Sequence, residues 1–208
     1  LSVSRSGCLA ANGRSQMHLS GDFGETWQGI LYGKSYGLGD GLAIKFLSHD
    51  DSNQTIIATD ANSGDLYYSN NLGKDWESAT GLIDIEHSLF EESFGIHIVE
   101  ESTSNPMVLY AGYIQSKIKG QDPHQLDEIE QSPGMYKSID GGMSWFPINN
   151  GLPDKEYSRN ISDIAVSKQN ENIVYINSLF DGLYYTVDGG ESWNCLLYTS
   201  DAADERNS

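Results

Sequence analysis

The chain has 208 residues, enough for one domain or two small ones with a real core, so disorder of the whole is excluded. Its formal charge of −18 at pH 7 excludes a nucleic-acid partner, because a phosphate backbone demands clustered Lys and Arg. Glycine (22 residues), tyrosine (12), phenylalanine (6) and tryptophan (4) outweigh proline (5), a balance that suits strands joined by tight turns.

In chain order, the first short apolar run is CLAANG (8–13), followed by RSQMHLS (14–20), which feeds SGDFGETW (Ser20 to Trp27). The series then restarts with LAIKFLS, TIIATD, GDLYYSN and SNNLGKDW (Ser69 to Trp76). A third pass reads GIHIVEES, MVLYAGYI, PGMYKSI and SIDGGMSW (Ser138 to Trp145), and a fourth reads ISDIAVS, IVYINS, DGLYYTV and TVDGGESW (Thr186 to Trp193). Each pass holds β-branched and aromatic runs bounded by turn residues, the signature of strands. The eight-residue boxes start 49, 69 and 48 residues apart and contain all four tryptophans, so a whole supersecondary unit is repeated.

Within a box, a Ser or Thr is followed by Asp or Asn, then Gly, then a hydroxyl or carboxylate, then Trp. A tight turn strands backbone N–H groups, which a short carboxylate accepts; Asp22, Asp140 and Asp188 suit that role, with Asn71 replacing them in the second box. Gly24, Gly73, Gly142 and Gly190 supply positive φ without a Cβ clash. The indoles of Trp27, Trp76, Trp145 and Trp193 are each expected to lie buried between neighbouring sheets. Ser20, Ser69, Ser138 and Thr186 open the four boxes.

The pattern resembles the Asp-box, or BNR, repeat. With NPMVLYAG (Asn105 to Gly112) and GMYKSIDGGMSW, it is similar to sortilin-type (VPS10) domains, photosystem II assembly factors and xyloglucan-cleaving glycoside hydrolases. The resemblance covers residues 8–194. It implies an all-β fold, a β-propeller fragment of about four four-stranded blades near 1–30, 41–80, 94–150 and 160–194, the first lacking its opening strand. Propellers close with 4 to 8 blades, so the missing blades of the same propeller are expected partners. Sialidases share the boxes but resemble an arginine-triad site, and only Arg5, Arg14 and Arg159 lie in the patterned region. Residues 195–208 are expected to be non-native, since CLLYTSDAADE (195–205) resembles a translated sequencing adaptor.

In the resembled families the box is structural and the site lies on the opposite, loop-bearing face. Four segments belong there: the connectors 28–41, 79–95 and 146–160, and the extra stretch 115–133. Their carboxylates include Asp40, Asp84 and Glu86, with Glu91, Glu92, Asp154 and Glu156 as catalytic candidates; Tyr32, Tyr36, His87, Tyr157 and Arg159 are binding candidates. Two readings follow: a non-catalytic scaffold binding a protein or glycan, or a glycoside hydrolase, which needs two carboxylates several ångström apart. No metal motif, phosphate loop or dinucleotide loop is present, so no metal or other cofactor is expected. No stretch approaches the roughly 18 apolar residues of a membrane span. The resembled families imply an extracytoplasmic location, where the sequons Asn53-Gln54-Thr55 and Asn160-Ile161-Ser162 could matter.

Overall fold

The computed structural model describes residues 2–3, 8–12, 16–31, 43–47, 55–59, 65–82, 95–114, 134–154 and 159–196. These residues form sixteen strands and no helix. The first sheet joins β1 (Ser2–Val3), β2 (Leu9–Asn12), β3 (Gln16–Ser20) and β4 (Gln28–Leu31). The second joins β5 (Ala43–Phe46), β6 (Ile56–Thr59), β7 (Leu66–Ser69) and β8 (Glu77–Ser78). The third joins β9 (Gly95–Glu101), β10 (Leu109–Ile114), β11 (Met135–Ser138) and β12 (Phe146–Pro147). The fourth joins β13 (Ile161–Val166), β14 (Val174–Ser178), β15 (Gly182–Thr186) and β16 (Asn194–Cys195).

Every sheet is an antiparallel meander in which strands adjacent in sequence pair with each other. The expectation that the first blade lacks an opening strand is corrected: Ser2 pairs with Ala10 and Val3 with Leu9. Two residues are too few to show the alternation by which a strand announces itself in sequence. At the other end the ladder runs through Cys195, which pairs with Tyr184, and Leu196 N–H donates to Leu183 O at 2.9 Å.

Residue pattern follows the number of covered faces. β10 lies between two sheets and reads LYAGYI, buried along nearly its whole length. β14 carries one covered face and alternates, with Val174, Ile176 and Ser178 buried while Tyr175 and Asn177 face outward.

Three apolar layers join the four sheets. Ala10 and Leu19 of the first pack with Ile56, Ala58 and Trp76 of the second. Leu47, Ile57 and Leu66 of the second pack with Ile96, Leu109, Ala111, Tyr113, Tyr136 and Trp145 of the third. Val108, Tyr110, Met135, Ile148 and Leu152 of the third meet Ile161, Ile164, Val174, Ile176, Tyr184 and Trp193 of the fourth. In each layer the later sheet contributes the indole, so the trailing faces of the first three blades each receive a Trp from the leading face of the next. Truncation of such a buried ring costs about 3–5 kcal/mol.

Trp27 departs from its expected burial. Its ring is 43% exposed, because among the described residues no sheet precedes the first blade and covers that side.

Candidate functional site

Three of the four box turns are closed by the same set of hydrogen bonds among their own residues. In the third, Ser138 Oγ accepts the N–H of Gly142 at 2.9 Å and that of Asp140 at 3.4 Å, and donates to Asp140 Oδ1 at 2.8 Å. The same Oδ1 accepts Ser144 N–H at 2.9 Å, while Oδ2 accepts the Ser144 hydroxyl. Ser20, Asp22 and Thr26 repeat this arrangement, as do Thr186, Asp188 and Ser192.

The second box reaches the same closure with chemistry exchanged. Asn71 Oδ1 accepts Asp75 N–H at 2.9 Å, and Asn71 Nδ2 donates to Asp75 Oδ2 at 2.8 Å. The carboxylate has moved from the third box position to the seventh, and an amide donor faces it where a hydroxyl does elsewhere.

These bonds favour ionised carboxylates. Hydrogen bonds from the side chains of Thr26 and Ser192 hold Asp22 and Asp188 at about 2. Asp140 is lowered as well: burial pushes it up, but the hydrogen bonds from Ser144 and Ser138 outweigh that. Such carboxylates are bound into the backbone and have no proton to offer near neutrality.

Backbone geometry supplies a second requirement. Not only Gly24, Gly73, Gly142 and Gly190 but also the preceding residue takes positive φ: Phe23 (59°), Leu72 (58°), Gly141 (76°) and Gly189 (75°). The turn is a double left-handed step, and two boxes make it with a side chain that disfavours it.

Two further repeats escaped the sequence reading. Ser102-x-x-Asn105 and Ser167-x-x-Asn170 shape the turns between first and second strands, with Val108 N–H donating to Asn105 O at 2.9 Å and Ile173 N–H to Asn170 O at 3.1 Å. Their carbonyls then brace the boxes, Met107 O accepting Gly141 N–H and Asn172 O accepting Gly189 N–H. Both turns therefore lie on one side of each sheet, as expected for a meander. The second repeat is Thr80-Gly81-Leu82 and Asn150-Gly151-Leu152. Trp145 N–H donates to Thr80 O and Trp193 N–H to Asn150 O, each at 2.9 Å, which ties the end of one sheet to the box of the next. A Cβ on Gly81 would lie 2.0 Å from Trp145 O, and one on Gly151 2.4 Å from Trp193 O. The signal was visible as a Gly-Leu pair five or six residues after Trp76 and Trp145, inside segments read as connectors of the loop face.

The opposite side carries the β14–β15 turn and, beside it, Asn160 at the start of the fourth sheet. Arg159 Nη2 lies 3.1 Å from Asp154 Oδ1, and Arg159 Nε donates to Pro153 O at 3.0 Å. Arg159 is largely covered while Asp154 projects into solvent, so the guanidinium staples the connector. Asn160 O accepts Leu179 N–H at 2.8 Å, which sets the Leu179–Phe180 turn against that staple. Phe180 is 70% exposed and Leu179 is exposed beside it. Buried Asn160 is closed to glycan attachment in the folded chain. Of the other site candidates, Tyr32, Tyr36, His87, Glu91, Glu92, Glu156 and Tyr157 lie outside the described residues, as do Asp40, Asp84, Glu86 and Asn53. Among the described residues no group of three His, Cys, Asp or Glu is placed to hold a metal ion, and no helix is long and apolar enough to cross a membrane.

Comparison with solved structures decides the architecture. The GH74 enzyme of Niastella koreensis superposes with a TM-score of 0.59 at 18% identity, over 94% of this chain and 23% of that one. An ancestral GH74 enzyme superposes at 0.62 and 19% identity, over 91% of this chain and 24% of that one. YCF48 from Cyanidioschyzon merolae gives 0.52 at 16% identity, over 89% of this chain and 54% of that one. The chain is a β-propeller segment. It spans about a quarter of the length of the GH74 enzymes. No family model matches it. A curated protein of Neosartorya fischeri, a probable oligoxyloglucan-reducing end-specific xyloglucanase, is 30% identical over 76 residues, which are 36% of this chain and 9% of that protein.

Proposed function

We propose that the chain belongs to an Asp-box propeller, related to the sortilin-type and xyloglucanase-type repeats, that serves as a non-catalytic scaffold binding a protein or glycan. The observation that supports this is the Leu179–Phe180 turn, which exposes an aromatic ring and an apolar neighbour, tied through Leu179 N–H to Asn160 O, on the side away from the boxes. An exposed aromatic ring, with few rotatable bonds, is the usual means of gripping a sugar face or an apolar peptide side chain. Tyr32, Tyr36, His87 and Tyr157 are the further binding candidates of this reading by their place in the sequence. The blades near 1–30, 41–80, 94–150 and 160–194 make up the native part, joined by further blades of the same propeller, and 195–208 is an added tail. The setting is extracytoplasmic, the habit of the resembled families.

Calorimetric titration with xyloglucan oligosaccharides and with extended peptides tests the proposal. A ligand that binds without release of reducing ends, and about tenfold more weakly (about 1.4 kcal/mol) to Phe180→Ala, is the expected result. A ligand held equally by wild type, Phe180→Ala and Arg159→Ala would sink it.

A second reading, a glycoside hydrolase fragment, is favoured by the 76-residue similarity to the probable xyloglucanase. Since Asp154 is engaged by Arg159, the acid and base would come from Glu91, Glu92 and Glu156. Release of reducing ends from xyloglucan oligosaccharides, abolished by Glu91→Gln or Glu92→Gln, would establish it.

A further inference from the structure

The box turn of the third blade departs from its sister turns at the positions that face solvent. Its second residue is Ile139, 61% exposed, where the other boxes carry Gly21, Asn70 and Val187. Its sixth is Met143, 45% exposed, where they carry Glu25, Lys74 and Glu191. The residue after the tryptophan is exposed Phe146, in place of Gln28, Glu77 and Asn194. Met107, whose carbonyl accepts Gly141 N–H at 3.0 Å, is exposed as well; its counterpart in the fourth blade, by the same bond to Gly189, is Asn172. None of these four side chains closes the turn, which Ser138, Asp140 and Ser144 do. Nor does an end of the chain uncover them, since the third sheet stands between the second and the fourth and packs on both. Large apolar side chains gathered around one turn, at positions that are mostly polar in the sister blades, mark a contact surface. Two of them are methionines, whose flexible thioethers adapt to a partner's shape.

The charges around the patch select its occupant. Asp140 lies within the same turn and is held ionised by its hydrogen bonds. On the fourth-blade side, Glu171 Oε2 accepts the hydroxyl of Ser104, in the turn that ends at Met107, at 3.1 Å. On the second-blade side, Glu77 Oε2 accepts the Tyr68 hydroxyl at 2.7 Å. Against these carboxylates the box side sets Lys74, Lys137 and Lys168 among the described residues. Lys137 is committed, since its Nζ donates to Gly189 O at 3.0 Å and lies over the Tyr110 ring. We infer that the box side of the third blade binds a partner protein through a basic amphipathic segment. The apolar side of that segment covers Met107, Ile139, Met143 and Phe146, and its lysines or arginines face Glu77, Asp140 and Glu171. An anionic membrane is the wrong partner, because its headgroups would be repelled by those carboxylates and by a chain of net charge −18. The surface is separate from the Phe180 turn, which lies on the other side of the sheets.

Calorimetric titration of the whole chain with a synthetic amphipathic peptide of leucine and lysine tests this. Saturable binding is expected, weakened about tenfold by Met143→Glu and by Ile139→Asn. Sister boxes already carry those residues, as Glu25, Glu191 and Asn70, so folding is retained and circular dichroism checks it. A control peptide with the same lysines but serine in place of leucine should bind about tenfold or more weakly. Salt raised through about 0.15 M, where the screening length is about 8 Å, should weaken the leucine–lysine peptide. Phe180→Ala should leave its affinity unchanged, which separates this surface from the one on the opposite side. Because Met143→Glu adds a carboxylate, tighter binding to that variant would show attraction by charge alone and overturn the inference. So would equal binding of the two peptides, the absence of binding by wild type, or a loss of affinity in Phe180→Ala.

Discussion

Trp27 and Trp145 occupy the same place in the same turn, and each donates its indole N–H to the carbonyl of the glycine three residues earlier, at 3.1 and 2.9 Å. Their surroundings differ: Trp145 is 3% exposed between the second and third sheets, and Trp27 is 43% exposed. The first blade thus holds its box in shape without a preceding neighbour. The turn is closed by its own side chains, and the neighbouring sheet adds anchorage rather than conformation.

The largest effect should come from removing the indoles. Trp145→Ala is expected to cost about 3–5 kcal/mol in urea unfolding, and Trp27→Ala about 1 kcal/mol or less. Equal losses would mean that the turn, not the neighbour, carries the energy. Next in size is Gly151→Ala, whose methyl group must displace Trp193 O while its backbone stays at φ 89°; about 2–5 kcal/mol is expected, read from the same unfolding curves. A smaller cost, about 1–2 kcal/mol, is expected for Asn71→Asp, which removes the amide donor and sets a second carboxylate against Asp75. Adding Asp75→Ser should restore stability, since that pair reproduces the chemistry of the other three boxes.

The smallest effect at neutral pH comes from titration. Asp22 and Asp188 have folded values near 2 against an ordinary 3.8, so the ionised forms stabilise the fold above that ordinary value. Their contribution is lost as pH falls from about 3.8 through about 2. Thermal melts across that window should lose stability in wild type and less in Asp22→Asn, with the exposed setting of this box keeping the difference modest.

Much of the architecture was legible because it repeats. The boxes carry four markers at fixed spacing, and the strands before them alternate or run apolar according to whether one or both faces are covered. β1 escaped because two residues have no period, and the double left-handed step escaped because Phe23 and Leu72 stand where glycine would have advertised it. The Gly-Leu braces were seen as connectors, since the constraint on Gly81 and Gly151 comes from a carbonyl in the next sheet, which no local pattern reveals. Of the loop-face candidates only Asp154 and Arg159 fall among the described residues, and they face each other. Residue type alone could not tell that pairing from a site. Leu179–Phe180 fell between the runs IVYINS and DGLYYTV and was given no role, although an aromatic residue in a turn beside Asp181-Gly182 was the available signal.

The brace between Thr80 and Trp145 gives the molecule a direction of growth. The carbonyl that accepts Trp145 N–H belongs to a segment made earlier in synthesis, and Thr80 N–H in turn caps Met143 O. A chain emerging from its amino end therefore presents a finished docking edge before the next tryptophan appears, and each new sheet condenses on a template already in place. Stability then accrues sheet by sheet, as in stacked-repeat proteins.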